Sequence, residues 1–204
     1  MTVTTRSSSP RKDELLERAY RYALEHGLAD LSLRPLAAAI GSSPRVLLFL
    51  FGSKDGLVSE LLARARADEL AFLGQATAGE PADLGAMVDA TWQWLAADQV
   101  RPLLTLWTEA YARSLAEPHG PWSGFAAQSV ADWLAVLSTA RPADQGSDSG
   151  PAAEADRTLA LAVLRGCMLD LLATGDADRV TGALASYAGL IAGGDPGRSV
   201  EAHE

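Results

Sequence analysis

The residues best placed to do chemistry lie early in the chain, in and just before GSSPRVLLFLFGSKDG, residues 41–56. Ser43 is a good helix N-cap, Pro44 fits the first helical position, and Gly52 closes the segment after about two turns. Arg45 on such a helix can fork onto guanine O6 and N7 or onto a phosphate, while Pro44, Leu48 and Phe49 can lie against thymine methyl groups in a major groove. Ser32 and Ser43, with the backbone N–H groups of the helices they precede, are donors for phosphate oxygens. The chemistry is that of nucleic-acid recognition. Catalysis has no comparable constellation: there is no G-x-G-x-x-G, P-loop, G-x-S-x-G or H-E-x-x-H, and His26, His119 and His203 are scattered. No catalytic residue, metal ligand set or cofactor is therefore expected, and the chain is read as a non-enzyme.

These residues need elements to hold them. Pro10 opens a helical pattern carried by Leu15, Ala19, Tyr22 and Ala23 and stopped at Gly27, so the first helix is expected over 10–26. Ser32 caps a second short helix with Leu36, Ala37 and Ile40 inward, and Gly41 stops it. After the third helix, a long fourth starts at Ser53 or Asp55 and runs to about Leu73. Further helices are expected over about 84–99, 102–116, 121–140, 153–174 and 177–192. No stretch alternates with a strand's period of two, so the fold class is all-α. Residues 1–9 read as a disordered arm, 74–85 as a linker, 141–156 as a long loop and 193–204 as a flexible tail.

Two short helices joined by GSS, preceded by a longer helix and followed by FGSKDGL opening another, have the order of a helix-turn-helix domain. This order resembles the N-terminal domain of the TetR family of transcriptional regulators over about residues 12–62, through Gly27, Ser32, Leu36, Ala37, Gly41, Ser43, Leu47, Phe51, Ser53, Lys54 and Leu57. The resemblance implies a helix-turn-helix domain over 10–54, a helical effector-binding and dimerisation domain over 55–192, and an inward face of Leu47, Leu50 and Phe51. It places Arg34 where such proteins present a base-reading residue and Lys54 where they hold phosphate. The chain departs from the family's usual Gly-Thr-Leu-Tyr with Arg45, Val46, Leu47 and Leu48, which removes two hydroxyls. The expected DNA contacts are Ser32, Arg34, Ser43, Pro44, Arg45, Leu48, Phe49 and Lys54. An alternative is a protein-interaction module of the same fold, in which Leu48 and Phe49 meet another protein.

Charge agrees with a local DNA contact. The whole 204-residue chain carries −9, but residues 1–54 hold eight basic residues against five acidic ones, a balance of +3, and the rest holds nine against 21, or −12. A basic head on an acidic body limits phosphate contact to one end. No apolar run approaches the roughly 18 residues that a membrane span needs. The first ten residues lack a signal peptide's apolar core, and Cys167 is the one cysteine, so a cytoplasmic location is expected and no membrane partner.

In the larger part, Trp92, Trp94, Trp107, Tyr111, Trp122, Phe125 and Trp133 fall between residues 84 and 140 with Met87. Aromatic residues at helical spacing make either a core or a pocket. In a chain that resembles this family, Trp107 and Tyr111, one turn apart, with Trp92, Phe125 and Met168, are candidates to line a cavity for a small apolar or aromatic effector. The last two helices carry Leu161, Leu164, Met168, Leu171 and Leu172, then Leu184, Tyr187, Ala188 and Ile191. The small residues Gly166, Ala173, Gly182, Ala183 and Gly189 would let partner helices approach. The family implies a homodimer through these helices, a palindromic operator in double-stranded DNA, and a repressor released by its effector.

Overall fold

The computed structural model describes residues 9–76, 83–117, 119–140 and 150–192. The expected arm and tail lie almost wholly outside these residues, as do parts of the expected linker and long loop. Among the described residues the chain is all-α, with nine α-helices and no strand. It divides into two compact units: the described residues up to Glu69 with Pro102–Ser129, and Leu70–Arg101 with the described residues from Val130.

In the first unit, α1 (Pro10–His26) starts with Pro10 in its first turn and ends where the Gly27 N–H bonds to the Ala23 carbonyl at 2.8 Å. Leu15, Ala19 and Ala23 are buried as expected, but the ring that joins them is Tyr20, not Tyr22. The Arg64 guanidinium sits 4.9 Å from the Tyr20 ring centre, so the helix that carries Arg64 covers that flank, while the Tyr22 ring stacks on His26 at 4.1 Å. Burial first, then the nearby Asp68 and Glu17 carboxylates, push the Tyr20 phenol well above its ordinary range, against the opposing pull of Arg64.

The short helices α2 (Leu33–Ala39) and α3 (Pro44–Phe51) cross at 102°, the angle of a helix-turn-helix pair. Ser43 accepts the Val46 N–H at 3.3 Å and so caps α3, whereas Ser32 holds the N-cap position of α2 without a side-chain cap bond. Arg18 of α1 donates to the Ile40 carbonyl at 3.2 Å, satisfying an acceptor at the end of α2. The fourth helix, α4 (Lys54–Ala76), begins where Ser53 accepts the Gly56 N–H at 2.9 Å. Leu57, Val58, Leu61 and Leu62 from α4 complete the buried set with Leu28, Leu36, Leu47 and Phe51.

The long-range helix of the first unit is α6 (Arg101–Ala116), which buries Leu103, Leu104, Leu106, Trp107 and Ala110. Ser114 accepts the Ala126 N–H at 3.1 Å where α7 (Phe125–Leu137) begins. The sequence pattern reads a helix from 121, but Gly124 has φ 77°, and residues before it form turns.

In the second unit, α5 (Leu84–Leu95) packs with α8 (Pro151–Thr174) and α9 (Ala177–Ala192). Asp83 caps α5 by accepting the Ala86 N–H at 2.8 Å. The expected continuation to residue 99 fails: α5 stops at Leu95, and a 3-10 turn occupies Asp98–Val100 ahead of α6. No single helix among the described residues is long and apolar enough to cross a membrane.

Candidate nucleic-acid interface

The helix α3 shows two faces. Leu47 is 1% and Phe51 7% exposed, with Leu50 half-buried beside them. On the opposite side Arg45, Val46 and Leu48 are exposed, and Phe49 is 85% exposed. Such an amphipathic helix would bury its aromatic ring if burial were the only demand, since a phenylalanine side chain gains about 1.5–3 kcal/mol on leaving water. Phe49 does not, because the inward positions of α3 are already filled by Leu47 and Phe51. Pro44 is half-buried at the start of the helix, and Ser43 is exposed with its hydroxyl oxygen on the Val46 N–H.

The cations of the head divide into two groups. Arg11 and Arg18 pair with Glu14 at 2.7 and 2.6 Å, and the Arg11 hydrogen bond holds the Glu14 carboxyl below the usual carboxylate range. Lys12 pairs with Glu60 at 2.5 Å and lies over the Phe51 ring. Arg11 is thus paired within α1, while Lys12 and Arg18, through Glu60 and the Ile40 carbonyl, tie α1 to its neighbours. Arg21, Arg34, Arg45 and Lys54 are exposed and have no ion pair among the described residues. A surface cation without an internal carboxylate keeps its full attraction for an external phosphate. Three of these four are residues that the sequence nominates; the fourth, Arg21, lies on α1.

Ser32, Arg34 and Lys54 come together. They line one shallow groove of about 570 Å³ with Ala29, Asp30, Leu31 and Leu33, at the start of α2 and the start of α4. A hydroxyl without a helix-cap bond, a guanidinium and an ammonium thus share one open surface, the donor set that a phosphate backbone uses. Arg45, Leu48 and Phe49 are presented separately by α3.

The nominated aromatic residues fall into both units. Trp107, Tyr111 and Phe125 belong to the first: Trp107 stacks on Tyr111 at 4.8 Å and donates its indole N–H to the buried Ser129 hydroxyl at 3.0 Å, and Phe125 is buried. Trp92 and Met168 belong to the second, where Trp92 donates to the Thr181 hydroxyl at 2.9 Å. Trp107, Trp92 and Met168 are each at most 6% exposed, while Tyr111 is half-buried. No cluster of three or more metal-ligating side chains occurs among the described residues.

Residues 15–61 match the family model for bacterial regulatory proteins of the tetR family. No curated protein sequence matches the chain. Among solved structures, the chain is similar to a transcriptional regulator from Rhodococcus sp. Rha1, with 21% identity, a TM-score of 0.66, and 88% of this chain and 95% of that one covered. It is similar to the multidrug binding protein EbrR in complex with imidazole, with 24% identity, a TM-score of 0.62 and coverage of 88% and 90%. Salmonella enterica GusR gives 17% identity, a TM-score of 0.62 and coverage of 88% and 94%. These likenesses extend the shared fold well beyond the matched N-terminal residues.

Proposed function

We propose that this chain, whose residues 15–61 match the tetR-family model, is a homodimeric repressor of that family that binds a palindromic operator and leaves it when a small apolar or aromatic effector binds. The observation that carries the reading is the presence, on one helix-turn-helix, of an exposed Phe49 and of Arg34, Arg45 and Lys54, cations without an ion pair among the described residues. Arg45 reads a guanine edge or a phosphate, Leu48 and Phe49 meet thymine methyl groups, and the Ser32–Arg34–Lys54 groove seats the backbone.

A second copy fits α8. Leu159, Ala162, Gly166, Leu169 and Ala173 are exposed and follow each other by three and four residues, one continuous stripe on the helix. An added Cβ at Gly166, Gly182 or Gly189 would meet nothing within 4 Å, so these positions leave room for another helix. The buried leucines of α8 and α9, among them Leu161, Leu164, Leu171 and Leu184, are used within the protomer. The dimer face is therefore the complementary stripe, and two heads at fixed separation require two half-sites.

For the effector, the half-buried Tyr111 stacked on Trp107 is the place where a flat apolar molecule exchanges one ring contact for another. EbrR, of similar fold, is described with imidazole and with proflavin. Release of DNA follows only if the effector prefers the arrangement of the two heads that misses the half-sites.

Titration of operator-sized duplexes with Arg34→Ala and Arg45→Ala tests the reading. Both variants are expected to bind at least about tenfold more weakly than the wild type, since each loses a charge-assisted contact. Unchanged binding by both, with Leu48→Ser losing a protein partner instead, would assign the surface to protein contact.

A further inference from the structure

The connection between α1 and α2 is held from far along the chain. The Leu28 N–H donates to Glu109 Oε2 at 2.9 Å, and Arg113 Nη2 donates to the Ala29 carbonyl at 3.1 Å. Glu109 and Arg113 are one turn apart on α6, so one face of that helix supplies an acceptor and a donor to two consecutive residues of the loop. Arg113 is itself fixed by Glu117 at 3.3 Å and lies over the buried Trp122 ring at 5.2 Å. The loop takes a glycine here for its backbone, since Gly27 has φ 77°, and a Cβ there would also stand 3.0 Å from Glu109 Oε2.

What this clamp holds is the rear of the interface. Ala29 and Lys54 line the shallow groove with Ser32 and Arg34, and they also line a second recess, of about 280 Å³, with Arg113, Glu117 and Trp122. The wall between the two is thus the loop that α6 grips and the lysine at the start of α4. The head's own apolar core fixes α1, α2 and α3 and takes in the Leu28 and Leu31 side chains of the loop, but the loop's backbone N–H and C=O groups still need partners of their own. Here two of those partners are Glu109 and Arg113.

We propose that Glu109 and Arg113 are positioning residues for DNA binding: by clamping Leu28 and Ala29 they set the place of Ser32, Arg34 and Lys54 without touching DNA. This rests on the DNA-binding reading. A contact residue and a positioning residue differ in salt dependence. Loss of a phosphate contact lowers the slope of affinity against salt, whereas loss of the clamp lowers affinity at every salt concentration and leaves the number of displaced counterions unchanged.

The test is operator titration across a salt series with the full-length dimer, for wild type, Glu109→Ala, Glu109→Gln and Ser114→Ala. Ser114 is the control, since it makes a hydrogen bond of the same class from the same helix to Ala126, away from the loop. Glu109→Ala is expected to weaken binding about tenfold with an unchanged slope, the size of a lost charge-assisted bond. Glu109→Gln, which keeps a carbonyl acceptor for Leu28, is expected to recover most of the affinity. Ser114→Ala, with a comparable loss of thermal stability, is expected to leave affinity unchanged. Amide exchange at Leu28 should accelerate in Glu109→Ala alone. Operator affinity within twofold of wild type in Glu109→Ala, with the Leu28 amide exposed, would overturn the clamp while leaving the DNA reading intact. Failure of the wild type to bind any duplex would overturn the DNA reading itself, and the clamp's role in it.

Discussion

The outer face of α3 and the ring pair on α6 use the same kinds of side chain in opposite ways. On α3, Phe49 stands in solvent beside Arg45, which has no ion pair among the described residues. On α6, Trp107 is 6% exposed, its indole N–H is bonded to Ser129 and its ring is stacked on Tyr111. An aromatic residue tells little by its presence. Burial and the fate of neighbouring polar atoms distinguish a ring that holds the fold from one that awaits a partner. The cations paired among the described residues, Arg11, Lys12 and Arg18, and those unpaired there, Arg34, Arg45 and Lys54, divide by the same principle.

Truncating the two rings breaks that comparison if it is wrong. Trp107→Ala is expected to cost about 3–5 kcal/mol by loss of a buried indole and the cavity it leaves. Phe49→Ala should change stability by no more than about 0.5 kcal/mol, as befits an exposed side chain, while weakening operator binding. Urea denaturation of the two variants checks both values, and a large loss from Phe49→Ala would mean that the ring belongs to the fold. Next in size is Gly27→Ala. With φ 77° and ψ 178°, Gly27 occupies backbone space that is essentially glycine's own, and the new methyl would press on Glu109. A loss on the order of 1–3 kcal/mol is expected, with weaker DNA binding through the displaced loop. Equal stability of Gly27→Ala and wild type would contradict this backbone assignment.

The smallest effect concerns pH. The Tyr20 phenol titrates above its ordinary value of 10.0 in the folded protein. A raised folded value means that the stabilisation is complete below pH 10 and is lost as pH rises toward the folded value, because the unfolded chain releases this proton first. Between pH 9 and pH 11 the wild type should therefore lose more stability than Tyr20→Phe, and an identical loss in the two would show that Tyr20 does not contribute to the alkaline limb.

Much of the head was legible because its helix ends carry local chemistry. Pro10 and Gly27 bracket α1, and Ser43, Pro44 and Gly52 bracket α3, so the expected spans 10–26 and 44–51 coincide with those found. Faces were less legible. The apolar stripe of α1 leans toward Tyr20 because α4 covers that side, and periodicity within one helix does not say which flank a neighbour will take. In the larger part, the helix expected to 99 stops at 95, and the one expected from 121 starts at 125, where turns compete with a helical pattern. The candidate contacts were nominated from residue type and order, but which cations are free depends on partners such as Glu60 of α4 for Lys12, far along the chain. The Glu109 and Arg113 bonds to the loop, spanning 81 and 84 residues, leave no local trace at all.

The most direct measurement is fluorescence anisotropy of the purified protein against duplexes from its own upstream region and against scrambled duplexes, across a salt series. Tight binding to one sequence and weak binding to its scrambled form, with a steep salt slope that flattens in Arg34→Ala, is the predicted result. A well-folded dimer that binds neither duplex at low salt would contradict the account, and the exposed face of α3 would then belong to a protein partner.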